Sequence, residues 1–386
     1  MNLTPAQVRA EFPITERRAY LFSGGLAPAS RAVRAAHDRW TEAWMYDPAA
    51  PYAAYHADWD AARERFANLV GATADEVAIV DHTSRGANLI VQMIPAPPGA
   101  NVVVDEYTYP SSLYPWLLEP KRGTQVRCVA ARDGRVHLDD LARAVDRRTV
   151  ALSVTHVSPK TGFRHDLTAL ANLAHEHGAY LVVDAAQSAG ALDLDVRRMG
   201  IDFLTTCAMK WLLGAPGVGF VFIAREHVER LEPPHVGYAG VVRAADAGPT
   251  DPLSFRSGAR RHEPGMPSLA GVAASRAGLE LLLRVGMRVV EQHVLELSGR
   301  CIDGLLSRGV RPFTHSDPSL RAGVVAVPVV EGERIVTFLR ERSVDVWTDS
   351  SARLLRIDPH VFNNDADLAR FFDGLDDYRN TTGEGP

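Results

Sequence analysis

The sequence has little cysteine, no marked charge excess and no long apolar run, and each lack removes a class of protein. Its three cysteines, Cys128, Cys207 and Cys301, are an odd number spread over 386 residues. They offer neither a disulfide framework nor a Cys-x-x-Cys metal site, and leave room for at most one catalytic thiol. The 42 basic and 47 acidic residues give a net charge of −5, so nucleic acid is not expected as a partner. No stretch of about 18 apolar residues occurs, so no membrane span is expected. The opening MNLTPAQVRAEF is charged and lacks an apolar core, and does not read as a secretory leader. There is no internal repeat and no low-complexity segment. The 14 histidines invite a metal, but no His-Glu-x-x-His pattern exists, and His175 and His177 point to different helix faces. No metal site is expected. The expectation is a cytoplasmic, enzyme-sized protein of two domains.

What is present is an alternation of short β-rich runs with amphipathic stretches. Strands are expected at 77–81, 101–105, 125–130, 150–155, 180–184, 203–206 and 219–223. Several are continuous Val/Ile/Leu runs, as strands covered on both faces should be. Helices are expected at 32–44, 58–70, 138–145 and 167–177, the last stopped by Gly178. This pattern predicts an α/β fold with a large, mainly parallel, seven-stranded sheet. The stretch 235–267 breaks the rhythm and reads as irregular surface, with Arg256, Arg260 and Arg261 as a loop for phosphate or a partner. Beyond it, helices near 269–283, 288–306, 333–342 and 366–375, with strands near 324–330, 344 and 354, suggest a smaller α/β domain. The first residues, ending in the turn Ser23-Gly24-Gly25, are expected to join it. The division is 31–254 for the large domain, and 1–30 with 255–386 for the small one. Trp40, Trp44 and Trp59 lie near helical spacing and are expected in the core.

The segment YLVVDAAQSAGALDLDVRRMGIDFLTTCAMKWLLGAPGVGFVFI carries the chemistry. A buried strand ends at Asp184, and a second ends near Lys210, 26 residues later. Strand carboxyl ends converge on one crevice in an open α/β sheet. An acid and a lysine there suit two ends of pyridoxal phosphate: a carboxylate keeps the ring nitrogen protonated, and a lysine takes the aldehyde as a Schiff base. Desolvation lowers a lysine's pKa and frees the amine. The plainer alternative makes Asp184 a helix cap and Lys210 a surface residue, but Gln187 and the GAPGVG turn beside them argue against it. The turn is not a Walker loop, because its lysine precedes the glycines.

These residues resemble the class V, cysteine desulfurase-like branch of fold type I pyridoxal phosphate enzymes. That branch includes cysteine desulfurases, isopenicillin N epimerase, kynureninase and hercynylcysteine sulfoxide lyase. The resemblance runs over nearly the whole chain and is most specific in DAAQ…KWLLGAPGVGF. It implies that Asp184 pairs with the pyridine nitrogen, Gln187 bonds the ring oxygen, and Lys210 is the Schiff-base lysine and proton carrier. In HTSRGAN, Thr83, Ser84 and Arg85 would open a helix onto the cofactor phosphate, or Thr83 or Ser84 would be a plain N-cap. In DEYTYPSS, Tyr109 would stack on the ring, with Tyr107 as its rival and a packed core tyrosine as the plain alternative. In THVSPKTG, His156 and Ser158 would line the site, with Pro159 in place of the usual Asn. Arg356 in LLRIDPHVFNND would hold the substrate carboxylate, a task for which a guanidinium fork fits; a surface salt bridge is the alternative. Ser23 and Gly24 are also expected at the substrate. In RRHEPGMPS, Gly265 and Met266 would reach the partner's phosphate across a homodimer with shared active sites. Met266 replaces the family's threonine. Cys207 and Met209 replace polar groups before the lysine, so Cys207 would stand in the phosphate site.

The stretch VWTDSSARLLRI has no cysteine before the arginine. Thiol-dependent desulfuration is therefore disfavoured. The expected reaction is β-elimination at an S-conjugated cysteine, a Cβ–S lyase of specialised metabolism acting on a small amino-acid substrate. An aminotransferase, an epimerase or a decarboxylating deaminase of a complex amino acid stays open. So does a catalytically silent cofactor-binding interaction protein, which would be expected to lack Lys210 or Arg356.

Overall fold

The computed structural model describes residues 3–118, 123–243 and 248–382. Its strands in chain order are β1 (Ala19–Tyr20), β2 (Val77–Val80), β3 (Asn101–Asp105), β4 (Gln125–Val129), β5 (Thr149–Thr155), β6 (Tyr180–Asp184) and β7 (Phe203–Cys207). They continue with β8 (Gly219–Ile223), β9 (Val241–Val242), β10 (Ser254–Phe255), β11 (Val325–Pro328), β12 (Val344–Asp345), β13 (Trp347–Asp349) and β14 (Leu354–Ile357).

Seven strands form one sheet in the order β2-β8-β7-β6-β5-β3-β4. The pairs from β4 through β7 are parallel, and β8 runs antiparallel to both its neighbours. Consecutive residues divide between two cores. Val103, Leu152, Val154, Leu181 and Val183 face one, with Phe66 and Leu170 from helices Ala49–Val70 and Leu167–Glu176. Val102, Val104, Ala151 and Val182 face the other, with Leu89, Ile90 and Met93 from helix Thr83–Met93. Helices on both faces explain why these strands are apolar throughout rather than alternating.

A smaller core gathers both ends of the chain. Strand β14 lies between β11 and β13, antiparallel to each. β1 pairs in parallel with β12, and Phe22 bridges to Asp358. Ala19 and Leu21 pack there with Val325, Leu355, Ile357 and Phe371. This pairing delivers residues 22–25 to the carboxyl ends of the large sheet. Helix Leu269–Val285 follows the other core, where Val272, Leu279 and Leu282 pack.

Three sequence expectations are corrected. The stretch 235–267 is not only surface: it holds the antiparallel pair β9–β10 and buries Ala259, His262 and Glu263. Its arginines are engaged within the chain, with Arg260 on Asp60, Arg261 on Glu229 and Arg256 on the Ala239 carbonyl. Trp59 is core, whereas Trp44 is 61% exposed, because that end of helix Arg31–Tyr46 projects beyond the packed body. Helix Pro110–Leu118 was not anticipated, and Pro115 inside it is the reason the pattern was masked.

Glu263 pins the irregular segment to the sheet. Its carboxylate accepts from Arg63 Nη2 at 2.9 and 2.8 Å and from Ile79 N–H at 2.7 Å. Burial pushes its pKa up, opposed by Arg63. Glu263→Ala would leave buried Arg63 with only the half-exposed Asp60 as counter-charge and the Ile79 N–H without its acceptor, so a stability loss of about 3–5 kcal/mol is expected by urea unfolding. A loss under about 1 kcal/mol would count against this anchor.

Candidate active site

The carboxyl ends of β3, β5, β6 and β7 open onto a cavity of about 510 Å³. It is lined by Phe22, Gly24, Tyr107, Tyr109, Pro159, Lys160, Gln187, Lys210, Trp347, Asp349, Leu354 and Arg356. The turn after β3 places Tyr109. Tyr107 N–H donates to Asp105 Oδ1 at 2.7 Å, and Tyr109 N–H donates to Thr155 Oγ1 at 2.8 Å. The Tyr109 ring centroid lies 5.6 Å from Lys210 Nζ.

Asp184 sits at the floor, 2% exposed. Oδ1 accepts from Ala186 N–H at 2.9 Å, and Oδ2 accepts from Ser112 Oγ at 2.7 Å. Burial raises its pKa, opposed by these bonds and by the Lys210 charge. A carboxylate so placed is short of a cation in contact with it. Gln187 is tied at both ends: Nε2 donates to Gly24 O at 2.9 Å, and Oε1 accepts from Trp211 Nε1 at 2.8 Å. One Nε2 hydrogen stays available. Only glycine fits at position 24, because a Cβ there would lie 2.5 Å from Asp358 Oδ2 and 2.6 Å from Arg356 Nη2.

Arg356 is buried and paired. Nε donates to both Asp358 oxygens at 3.1 and 3.0 Å, Nη2 donates to Oδ2 at 2.6 Å, and Nη1 donates to Pro159 O at 3.1 Å. A guanidinium has five N–H groups. Two remain, one on each Nη, which is the pair a carboxylate fork needs. Asp358 has its pKa raised by burial and lowered by Arg356.

The helix Thr83–Met93 starts beside this floor. His82 Nδ1 accepts from Arg85 N–H at 3.1 Å, so the Thr83 and Ser84 amides are the free ones in the first turn. Ser84 Oγ donates to Ser111 Oγ at 2.7 Å, and Cys207 and Thr83 share a hydrogen bond.

The structure therefore brings Gly24, Tyr109, Gln187, Lys210 and Arg356 to one cavity, with Thr83, Ser84, Asp184 and Cys207 at its floor. Several expected residues lie elsewhere. Arg85 lines a separate cavity of about 300 Å³ with His235 and His262, because it follows the helix round to another face; Gly265 and Met266, expected at a partner's phosphate rather than at this chain's own, line the same cavity. His156 and Ser158 are each 1% exposed and do not line the Lys210 cavity. Ser158 Oγ instead accepts from the Lys160 and Thr161 amides, closing a turn. Ser23 is fully buried, and its Oγ has no hydrogen-bond partner. Ser112, Trp211 and Asp358 were missed by sequence reasoning; the serine after YPS was the one available signal. Among the described residues, Asp202, Glu226 and His227 form a cluster of metal-ligating type. His227 Nδ1 accepts from Arg230, so its Nε2–H donates to Asp202 at 2.6 Å and the group is satisfied as a hydrogen-bond network.

Pyridoxal phosphate fits these residues. The buried Asp184 carboxylate lacks a contacting cation, which a protonated pyridine nitrogen would provide. Two free amides at a helix N-terminus suit the phosphate, and Lys210 and Tyr109 stand above the floor.

The description "Aminotransferase class-V" matches residues 20–353. The chain is 26% identical over 386 residues to the uncharacterised aminotransferase YcbU of Bacillus subtilis, covering 97% of this chain and 98% of that one. It is 29% identical over 345 residues to a cysteine desulfurase of Klebsiella pneumoniae, covering 84% and 83%. The apo structure of a cysteine desulfurase from Thermococcus onnurineus superposes with a TM-score of 0.89 at 24% identity, over 99% of each chain. Borohydride should fix the cofactor on Lys210, one of three lysines, and peptide mapping that finds the label on Lys160 would contradict this site. Asp184→Asn should weaken cofactor binding about 10–100-fold, since charge-assisted bonds carry about 1.5–3 kcal/mol. Equilibrium dialysis measures this, and an unchanged constant would remove Asp184 from the site. The chain belongs to the class-V aminotransferase family and is a pyridoxal phosphate-dependent enzyme.

Proposed function

We propose that the protein is a Cβ–S lyase that splits an S-conjugated cysteine by β-elimination. The observation that carries this reading is a cavity whose lining has a lysine, a guanidinium with two free N–H groups and no cysteine. Several relatives are named cysteine desulfurases. Desulfuration and elimination break the same Cβ–S bond, but desulfuration needs a nucleophilic cysteine beside the substrate. Here Cys128 lies on β4 at the sheet edge, Cys301 is buried in helix Met287–Leu306, and Cys207 is 5% exposed beneath Lys210. Burial pushes all three thiols up, away from the thiolate.

Arg356 holds the substrate carboxylate through its two remaining N–H groups. Tyr109 and Gln187 fix the plane in which the substrate lies, and Asp184 holds the ring-nitrogen proton. Thr83 and Ser84 hold the phosphate. Bound pyridoxal phosphate supplies the electron sink that acidifies the Cα–H. Lys210 Nζ takes that proton. The Cβ–S bond then breaks with its electron pair on sulfur, which leaves as a thiol once protonated. With one water, the remaining fragment yields pyruvate and ammonium.

This reading includes a homodimer with shared active sites. Met266 at 38% and Tyr238 at 64% exposure present apolar surface beside the Arg85 cavity. It also includes a cytoplasmic location; no helix among the described residues is long and apolar enough to cross a membrane.

The test is incubation of holoenzyme with S-conjugated cysteines, expecting pyruvate and thiol in equal amounts. Pyridoxamine phosphate without pyruvate would indicate transamination, and a protein-bound persulfide would indicate desulfuration; either overturns the reading. Arg356→Ala should raise KM at least about tenfold, from the loss of a charge-assisted fork. An unchanged KM would remove Arg356 as the carboxylate anchor.

A further inference from the structure

The cavity has a second charged end that the reaction above does not use. Strands β13 and β14 pair Trp347 with Arg356 and Asp349 with Leu354. Residues two apart on a strand share a face, and all four line the cavity. The alternate residues Leu355 and Ile357 turn into the smaller core. Asp349 therefore stands two residues along the sheet from the carboxylate anchor, a step of about 7 Å. Its Oδ1 is held by Ser351 Oγ at 2.6 Å and Ala352 N–H at 3.1 Å.

Lys160 faces the same space from another element. It follows Pro159, whose carbonyl steadies Arg356. Its ammonium makes no ion pair with a described residue, and its charge acts on Asp349 through space. Between anchor and mouth lies an apolar stretch. The Phe22 and Trp347 rings stack at 6.1 Å with planes 5° apart, and the Arg356 guanidinium lies 5.1 Å from the Trp347 ring. Sulfur packs favourably against aromatic rings.

We infer that Lys160 and Asp349 form a second binding site, which takes an amino-acid head carried by the leaving thiol. The substrate class is then a sulfur-bridged pair of amino acids. A cation and an anion at one rim match the carboxylate and ammonium of a second zwitterion. A plain anion would meet Asp349, and a plain cation would meet Lys160. This inference rests on the lyase reading and specifies its leaving group.

L-lanthionine and S-ethyl-L-cysteine offer the same thioether bond, with and without the second head. Holoenzyme should favour lanthionine by at least about tenfold in kcat/KM, expressed in KM. Calorimetric titration of the Lys210→Ala protein should show the same preference without turnover. Lys160→Gln and Asp349→Asn should each cut the lanthionine preference about tenfold, or about 1.4 kcal/mol. Equal handling of the two compounds by the wild type, or a preference unmoved in both variants, overturns the second site and leaves the lyase reading standing. Pyruvate from neither compound overturns the lyase reading and the site with it.

Discussion

The buried ion pair between Arg356 and Asp358 is the constraint on which the site depends. It joins three parts of the chain. Arg356 reaches the Pro159 carbonyl above the large sheet, while the Asp358 N–H donates to Leu21 O at 2.7 Å in the N-terminal segment. Desolvating two charges costs several kcal/mol per ion, and their attraction roughly offsets this only in good geometry. Net stability is therefore a weak reason for such a pair. Position is a stronger one. With two donors on Asp358 and one on Pro159, the guanidinium cannot rotate, and its last two N–H groups point where the fold sets them.

The same logic governs the other end of the cavity. Asp184 and Asp358 are both buried carboxylates whose pKa burial raises, and the Lys210 charge opposes the rise at each. Lys210 thus stands in the field of two acids with different partners. Asp358 has a resident cation in Arg356. Asp184 has only hydrogen-bond donors, Ser112 and the Ala186 amide. A cationic ring nitrogen is stabilised beside the second and has no place beside the first. That difference would place the ring nitrogen at Asp184, with the Thr83 and Ser84 amides left for the phosphate.

Much of this was legible from the sequence, for physical reasons. The seven large-sheet strands begin and end within a residue or so of expectation, because a strand buried on both faces must be apolar throughout and stops where polar residues begin. Asp184 and Lys210 were legible because each follows such a run. Ser112 was not, because its partner Asp184 is 72 residues away and its place after YPS does not name that partner. Asp358 was not singled out at all, since its place two residues after Arg356 says nothing of the Arg356 side chain curling back onto it. Arg85 was assigned to the phosphate by its position in a motif. The His82 cap takes its backbone N–H, and its side chain lines a different cavity.

The cysteines connect these points. A thiol acts as a nucleophile through its thiolate, and the thiolate is what burial disfavours. Cys207 shows the competition most clearly: the Lys210 charge and the bond to Thr83 lower its pKa, yet desolvation outweighs them. Its place beneath the lysine is therefore one of packing and of a weak bond to the helix terminus. On the lyase reading proposed above, with no thiolate to accept sulfur, the electron pair of the breaking C–S bond leaves on the substrate's own sulfur. Selectivity then falls on the group beyond that sulfur, which is where the aromatic pair Phe22–Trp347 and the charges of Lys160 and Asp349 lie.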